Sequence, residues 1–85
     1  MTGVRLDKWQ FHARFYRTRL LAQAAASAGK VRLNGNRVEK PGHAIKPGDV
    51  LTLGRGAQVM AVRVLALAER RGPASEARNL YEILE

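Results

Sequence analysis

The spacing of apolar residues changes at Gly29, and that change decides the fold class. Before Gly29, apolar residues recur every three or four positions, as on one face of a helix: Leu6, Trp9, Ala13 and Tyr16. After Gly29 the pattern alternates with a period of two, which is typical of half-buried β-strands. The sequence therefore predicts an α+β fold, with two N-terminal helices packed on a small, mainly antiparallel sheet.

Two helices are expected before the sheet begins. The first covers residues 5–16, with Asp7 in its first turn near the positive end of the helix dipole. The second runs from Arg19 to Ala28, with Thr18 as its N-cap and Gly29 at its C-terminal end.

The sheet is expected to begin with a hairpin. Asn34-Gly35 is a strong signal for a two-residue turn, and it places Arg32 opposite Arg37 and Val31 opposite Val38. Two arginines facing each other repel unless an anion lies between them.

The rest of the chain supplies further strands and turns. Lys46-Pro47-Gly48-Asp49 is typical of a type II turn. Strands are expected over 50–53 and 59–67, separated by a turn at 54–56, and a short amphipathic helix through Ala77, Leu80, Tyr81 and Leu84.

Size and composition limit the function further. A chain of 85 residues is expected to form a single domain, with too small a core for a deep substrate pocket. The absence of cysteine excludes disulfides and thiolate metal sites. We find neither a membrane-spanning run nor a signal segment, and expect a cytoplasmic protein, a monomer without cofactor, metal or small-molecule substrate.

The net charge of +8 is unevenly distributed. Residues 1–46 contain ten basic and two acidic residues, a net of +8, whereas residues 47–85 contain five of each, a net of zero. Such an excess on one part of the chain indicates a polyanionic partner, nucleic acid first and an anionic membrane surface second.

The basic residues fall in two local groups. Arg5, Lys8 and His12 are expected to form one polar stripe on the first helix, while Arg17 and Arg19 flank the N-terminus of the second, where backbone N–H groups favour an anion. The hairpin carries the second group. The aromatic residues Trp9, Phe11, Phe15 and Tyr16 are expected to serve the core more than to stack on bases.

These residues resemble a known family. Arg5-Leu6-Asp7-Lys8, Thr18-Arg19, Gly29-Lys30 and Val31-Arg32-Leu33-Asn34-Gly35 are similar to the αL motif of the RNA-binding domain first named for small-subunit ribosomal protein four, the S-four domain. The match covers residues 5–53, followed by a C-terminal strand and tail over 57–85. Trp9, Ala13-Arg14-Phe15 and 70–76 also resemble the fifteen-kilodalton bacterial heat-shock RNA-binding proteins.

The resemblance implies binding of structured RNA, in that branch ribosomal RNA of the large subunit, and a role in handling large subunits blocked by an unreleased nascent chain. Together with the charge pattern, it gives the candidate RNA-binding residues: Arg5, Lys8, Arg14, Arg17, Thr18, Arg19, Lys30, Arg32, Asn34 and Arg37. Arg63, Arg70, Arg71 and Arg78 are expected to contribute little.

The chain departs from the family at three points. Leu20 replaces the usual serine, and Gln10 replaces a leucine, which is expected to weaken helix packing. The sequence also ends before the basic C-terminal extension that many relatives carry.

No catalytic site is predicted, because His12 and His43 lie in different elements and no nucleophile–base set or phosphate loop is present. Two alternatives stay open. One is a DNA-binding module of the helix-turn-helix type, and the other is an RNA-binding domain excised from an RNA-modifying enzyme.

Overall fold

The computed structural model describes residues 3–38, 40–55, 58–68 and 71–84. Three helices and seven strands alternate along these ranges. In chain order they are β1 (Val4–Arg5), α1 (Leu6–His12), α2 (Arg19–Ser27), β2 (Val31–Leu33), β3 (Asn36–Val38), β4 (Ala44–Ile45), β5 (Val50–Arg55), β6 (Gln58–Val64), α3 (Ala74–Ala77), a 3₁₀ turn (Arg78–Leu80) and β7 (Tyr81–Leu84).

Five strands form one antiparallel sheet in the order β3-β2-β5-β6-β7, and β1 pairs separately with β4. With two helices ahead of this sheet, the predicted α+β class is confirmed. The predicted hairpin register is confirmed as well, since Arg32 lies opposite Arg37 and Val31 opposite Val38. Asn34 and Gly35 have φ values of 51° and 86°, the positive values that a type I′ turn requires.

Helix α2 forms where the sequence predicts it. The hydroxyl of Thr18 accepts a 3.1 Å hydrogen bond from the N–H of Leu21, which satisfies one of the unpaired donors of the first turn. At the other end Gly29 takes φ 74°, and the N–H of Lys30 donates to the carbonyl of Ala25 at 3.0 Å. This is the Schellman arrangement, which ends the helix at a residue with positive φ.

Helix α1 is shorter than predicted, because it ends at His12 instead of continuing to Tyr16. Arg14 takes φ 64°, and the N–H of Phe15 donates back to the carbonyl of Gln10 at 3.0 Å. The same Schellman arrangement therefore closes α1, with an arginine in the position that glycine usually occupies. An arginine gives no local signal for such a helix end, so the periodic pattern predicts a helix that continues past it.

Two further boundaries differ from the prediction. Gly54 and Arg55 continue β5 instead of forming a turn, while Gly56 lies outside the described residues, and β6 ends at Val64 instead of residue 67. The turn at 46–49 is confirmed: Gly48 has φ 96°, and the N–H of Asp49 donates to the carbonyl of Lys46 at 3.1 Å.

The predicted C-terminal helix is wrong for residues 81–84. Helix α3 occupies only Ala74–Ala77, and after the 3₁₀ turn the chain forms β7, which pairs with β6 through Val64↔Tyr81 and Ala61↔Leu84. The open edge of β6 supplies backbone partners to these residues, and this long-range pairing overrides the weak helical spacing.

The core lies between the helices and the sheet. Trp9 is fully buried and donates its indole N–H to the carbonyl of Ala66 at 2.9 Å. Phe15 packs on Trp9 and on Tyr81, with ring centroids 5.8 and 4.6 Å apart. Trp9 and Phe15 therefore belong to the core, as expected. The apolar floor beneath them comes from the sheet: Val31, Leu33, Leu51, Leu53, Val62 and Val64.

Candidate nucleic-acid interface

A buried carboxylate organises the basic residues at the start of the chain. The side chain of Asp7 is fully buried and accepts hydrogen bonds from Nε and Nη2 of Arg5 at 3.1 and 3.2 Å. It also accepts from the backbone N–H of Lys8 at 2.8 Å, from Nε2 of Gln23 at 3.0 Å and from Nε of Arg19 at 3.4 Å. One acid in α1 therefore fixes an arginine from each side of the α1–α2 junction.

The charges of this cluster stabilise one another. Burial alone would raise the pKa of Asp7, but hydrogen bonds from Arg5, Gln23 and the N–H of Lys8, together with the charge of Arg5, lower it overall. The pKa of Arg5 is raised by its hydrogen bond to Asp7 and by the charge of that carboxylate. Because the arginine side chains remain 51% and 43% exposed, each guanidinium keeps donors for a second partner.

The N-terminus of α2 lies beside this cluster. Arg17 and Thr18 are exposed and precede the nine-residue helix directly. The hydroxyl oxygen of Thr18 caps the helix, and Arg19, the first helical residue, is held by Asp7. Positive charge is therefore concentrated at the N-terminus of α2, where the helix dipole adds to the charges of Arg17 and Arg19.

The hairpin carries the second basic group. Arg32 and Arg37 are exposed cross-strand neighbours, and Lys30 is exposed just before β2. The guanidinium of Arg37 lies against Gly29, where a Cβ atom would overlap it. The hairpin is thus packed on the C-terminal end of α2, which ties the second basic group to the helical one.

Two further predicted RNA-binding residues, Asn34 and Arg14, also have protein partners. The amide of Asn34 donates to Oδ1 of Asp49 at 3.2 Å and accepts from the N–H of Val50 at 2.9 Å, so it fixes the hairpin tip to β5. Arg14 donates its Nε–H to the carbonyl of Gly72 at 2.9 Å while its side chain stays exposed. The structure thus places Asn34 mainly in a structural role and leaves Arg14 with donors to spare.

His12 does not belong to the polar stripe predicted with Arg5 and Lys8. Its ring is buried, and Nδ1 donates to the carbonyl of Ala68 at 3.1 Å. Burial lowers the pKa of His12, the hydrogen bond to Ala68 opposes that effect, and the charges of Lys8 and Arg19 lower it further.

Sequence reasoning missed the acidic residue that contributes to the site. Asp7 is the only acidic residue among the first 38, which is a signal that a lone acid among arginines organises them. Lys40 and His43 are exposed in the loop that follows β3. The backbone carbonyl of His43 accepts from the N–H of Leu6 at 2.8 Å, so this loop is attached to the start of α1.

Arg70 lies outside the described residues, so its predicted minor role has no structural counterpart. Arg71 donates to the carbonyl of Phe11 at 3.2 Å and stacks on that ring, with 4.5 Å from Cζ to the centroid. Arg63 pairs with Glu82 at 3.1 Å across β6 and β7. These two later arginines therefore have partners within the protein.

Across the ranges that the structure describes, we find no cluster of three metal-ligating His, Cys, Asp or Glu side chains. No helix within those ranges has the length and apolarity needed to cross a membrane.

Two helices pack against a β-hairpin, and basic side chains lie where they meet. This arrangement defines the class of protein. The family model described as the S4 domain matches residues 4–51, and the chain belongs to the S4 domain family.

Within this family, the chain is similar to the heat shock protein 15 group. It is 49% identical to heat shock protein 15 of Escherichia coli K12 over 79 residues, which are 93% of this chain and 59% of that protein. It is 46% identical over 84 residues to the homolog from Aeromonas salmonicida, covering 99% of this chain and 63% of that protein. The chain therefore spans about three fifths of the length of these relatives.

Two other relatives are matched over more of their length. The RQC P-site tRNA stabilizing factor of Bacillus subtilis is 37% identical over 82 residues, which are 96% of this chain and 93% of that protein. A solved trimeric structure of Vibrio cholerae heat shock protein 15 superposes with a TM-score of 0.91 at 39% identity, covering 96% of this chain and 82% of that one. Since that relative is trimeric, the monomer expected for this chain stays a prediction.

Proposed function

We propose that this chain binds structured RNA without catalysis, and that its partner is ribosomal RNA of the large subunit. The observation that carries the proposal is the buried Asp7 holding Arg5 and Arg19, each still about half exposed. Guanidinium groups fixed in this way and turned partly to solvent suit phosphate, which they bind through paired hydrogen bonds. Arg17, Lys30 and Arg32 extend this basic surface.

The geometry of α2 argues against the alternative of a DNA-reading helix. Leu20 and Leu21 are 75% and 50% exposed, so large apolar side chains occupy part of the outer face of the helix. Gln23, a polar residue of this helix, has its amide bonded to Asp7. A recognition helix needs polar side chains that reach base edges in the major groove, and this helix offers few.

The names of the relatives support the finer assignment. One relative is named as a factor that stabilises tRNA at the P site, and others are heat shock proteins. A role in handling blocked large subunits, in the cytoplasm, agrees with both names and with the basic face described above. The buried ring of His12 and the loop position of His43 support a binding role without catalysis.

The test compares structured RNA with duplex DNA of equal length over a salt series. We expect tighter binding to RNA, and a loss of about 1–3 kcal/mol in Arg19→Ala or Arg32→Ala, with a salt slope reduced by about one unit for each phosphate that is no longer neutralised. Arg78→Ala removes an exposed arginine outside the proposed face and is the matched control. A larger loss in the control than in Arg19→Ala would refute the proposed face.

The ribosomal part needs its own experiment. Purified large and small subunits are sedimented with the wild-type protein and with the Arg32→Ala variant. We expect the wild-type protein to pellet with large subunits and the variant to remain largely in the supernatant. Equal recovery with both subunits would leave RNA binding intact but remove the large-subunit assignment.

A further inference from the structure

An open groove of 510 Å³ lies between the β2–β3 hairpin and the loop that follows β3. Its lining includes the buried apolar side chains of Leu33 and Val38. The exposed side chains of Asn36, Lys40 and His43 line it as well. Its volume falls in the range of about 300–1,000 Å³ that is usual for small-molecule pockets.

The lining suits the parts of a nucleotide. The exposed imidazole ring of His43 offers a face on which a base can stack, and the amide of Asn36 has both a donor and an acceptor for a base edge. The ammonium group of Lys40 suits a phosphate. Asn34 also lines the groove, but its side chain is already bonded to Asp49 and Val50. Asn36 is therefore the amide that can hydrogen-bond the edge of a base.

The groove neighbours the basic face that we propose for RNA, because His43, which lines it, is bonded through its backbone to the start of α1. The guanidinium of Arg5 packs on Gly42, where a Cβ atom would lie 3.3 Å from its Cζ atom. The carbonyls of Pro41 and His43 accept from the first N–H groups of α1, Asp7 at 3.1 Å and Leu6 at 2.8 Å. Residues 41–43 are therefore held next to Arg5 before any ligand arrives, which lowers the cost of ordering them on binding.

We infer that this groove holds a single unpaired nucleotide of the bound RNA. His43 stacks on the base, Asn36 bonds its edge, and Lys40 contacts its phosphate. The inference rests on the proposed function and adds the kind of RNA: a helix with a bulged or extruded nucleotide, whose backbone is held by the arginines. Recognition of unstacked bases is the usual source of sequence preference in RNA binding.

The test uses two RNA hairpins that differ only in one bulged nucleotide, labelled there with a fluorescent base analogue. The variant is Asn36→Ala/His43→Ala, which leaves the backbone bonds of His43 in place. We expect it to bind the bulged RNA about tenfold more weakly than the wild type and the fully paired RNA equally well. The fluorescence change of the bulged base on binding is expected to disappear in the variant.

Two controls separate this inference from the proposed function. Asn79→Ala repeats the asparagine part of this change on the 3₁₀ turn after α3 and is expected to alter neither affinity. Arg32→Ala is expected to weaken binding to both RNAs alike. If the wild type binds the paired RNA at least as tightly as the bulged one, or the groove variant weakens both equally, the nucleotide site is wrong while RNA binding stands. If the wild type binds neither RNA, both proposals fail.

Discussion

Nε of Arg19 lies 3.4 Å from Oδ2 of Asp7, and this contact joins α2 to α1 across twelve residues of sequence. The same oxygen accepts from Gln23 one turn further along α2. A buried carboxylate held by both helices fixes their relative position, and with it the direction in which Arg5 and Arg19 face solvent. The basic face is therefore organised from beneath by an acid.

Asp7→Asn distinguishes two effects of this carboxylate on RNA binding, namely its positioning of Arg5 and Arg19 and its negative charge. The substitution makes the protein more positive, so long-range attraction alone predicts tighter RNA binding. Because the amide cannot hold two guanidinium groups as the carboxylate does, we expect weaker binding and a loss of about 2–3 kcal/mol in the free energy of unfolding. The measurements are RNA affinity at several salt concentrations and urea denaturation.

Glu82→Gln is the control for this variant, since it removes the charge of an exposed carboxylate paired with Arg63. It is expected to cost less than about 1 kcal/mol in stability and to leave RNA affinity unchanged or slightly improved. Tighter RNA binding by Asp7→Asn than by the wild type would show that Asp7 has no positioning role.

Local signals account for the parts of the fold that the sequence predicted well. Asn34-Gly35 fixes the hairpin register, Thr18 and Gly29 fix the ends of α2, and the Pro47-Gly48 pair fixes its turn, because each depends on the backbone preferences of one or two residues. The parts predicted wrongly depend on distant contacts. The strand at 81–84 needs the open edge of β6, and the end of α1 needs an arginine with positive φ.

The candidate site was predictable by residue type but not by geometry. Charge and motif select Arg5 and Arg19, which the structure brings together, but no sequence pattern shows that Asp7 is buried beneath them or that Asn34 is bonded to Asp49. His12 fits a helical stripe by spacing alone, yet its ring is buried and is bonded to the carbonyl of Ala68. Burial depends on which later segment covers a helix face, and local periodicity does not contain that information.

Gln10→Leu is expected to stabilise the protein. The side chain of Gln10 is fully buried, and neither its amide nitrogen nor its oxygen has a hydrogen-bond partner among the described residues. Replacing an unsatisfied buried amide by an apolar group of similar size removes its desolvation cost, so we expect a gain of about 1–2 kcal/mol by urea denaturation.

Gln23→Leu is the matched control for that change. Its amide donates to Asp7, so the same substitution there removes a bond to a buried charge and is expected to destabilise the protein. Destabilisation by Gln10→Leu would contradict a buried Gln10 amide without hydrogen-bond partners.

Gly29→Ala tests the contact between α2 and the hairpin. Both Gly29 and Gly35 have positive φ, so alanine is strained at either position by about 1 kcal/mol. A Cβ atom at Gly29 also overlaps the guanidinium of Arg37, whereas nothing lies within 4 Å of one at Gly35. We expect Gly29→Ala to cost more stability than Gly35→Ala in thermal denaturation.

The additional stability cost of Gly29→Ala over Gly35→Ala is expected to disappear when Arg37→Ala is added to Gly29→Ala, because the overlap with the guanidinium is then removed. Together with the wild type and the Arg37→Ala single variant, these two proteins form a double-mutant cycle that isolates the contact. Equal costs for the two glycine substitutions would mean that Arg37 moves away freely and does not hold the hairpin against α2.

The stability of the protein is expected to fall in mildly acidic solution because of His12. Burial first, and then the charges of Lys8 and Arg19, lower the pKa of His12 in the folded state, while the unfolded chain has the ordinary value of about 6.5. Below about pH 6.5 the unfolded state therefore binds more protons than the folded state, and stability decreases as the pH falls. The slope for one proton is at most about 1.4 kcal/mol per pH unit, and no contribution remains well above pH 6.5.

His12→Asn isolates this effect, because asparagine keeps a donor for the carbonyl of Ala68 but does not titrate. The free energy of unfolding of this variant is expected to stay constant over the pH range in which that of the wild type falls. The lowered pKa of Asp7 acts in a separate window, since its stabilisation is complete above about pH 5 and is lost at lower pH. The measurement is urea denaturation of both proteins over about one pH unit on either side of 6.5. An equal fall in stability for His12→Asn and the wild type over that range would assign the effect to another group.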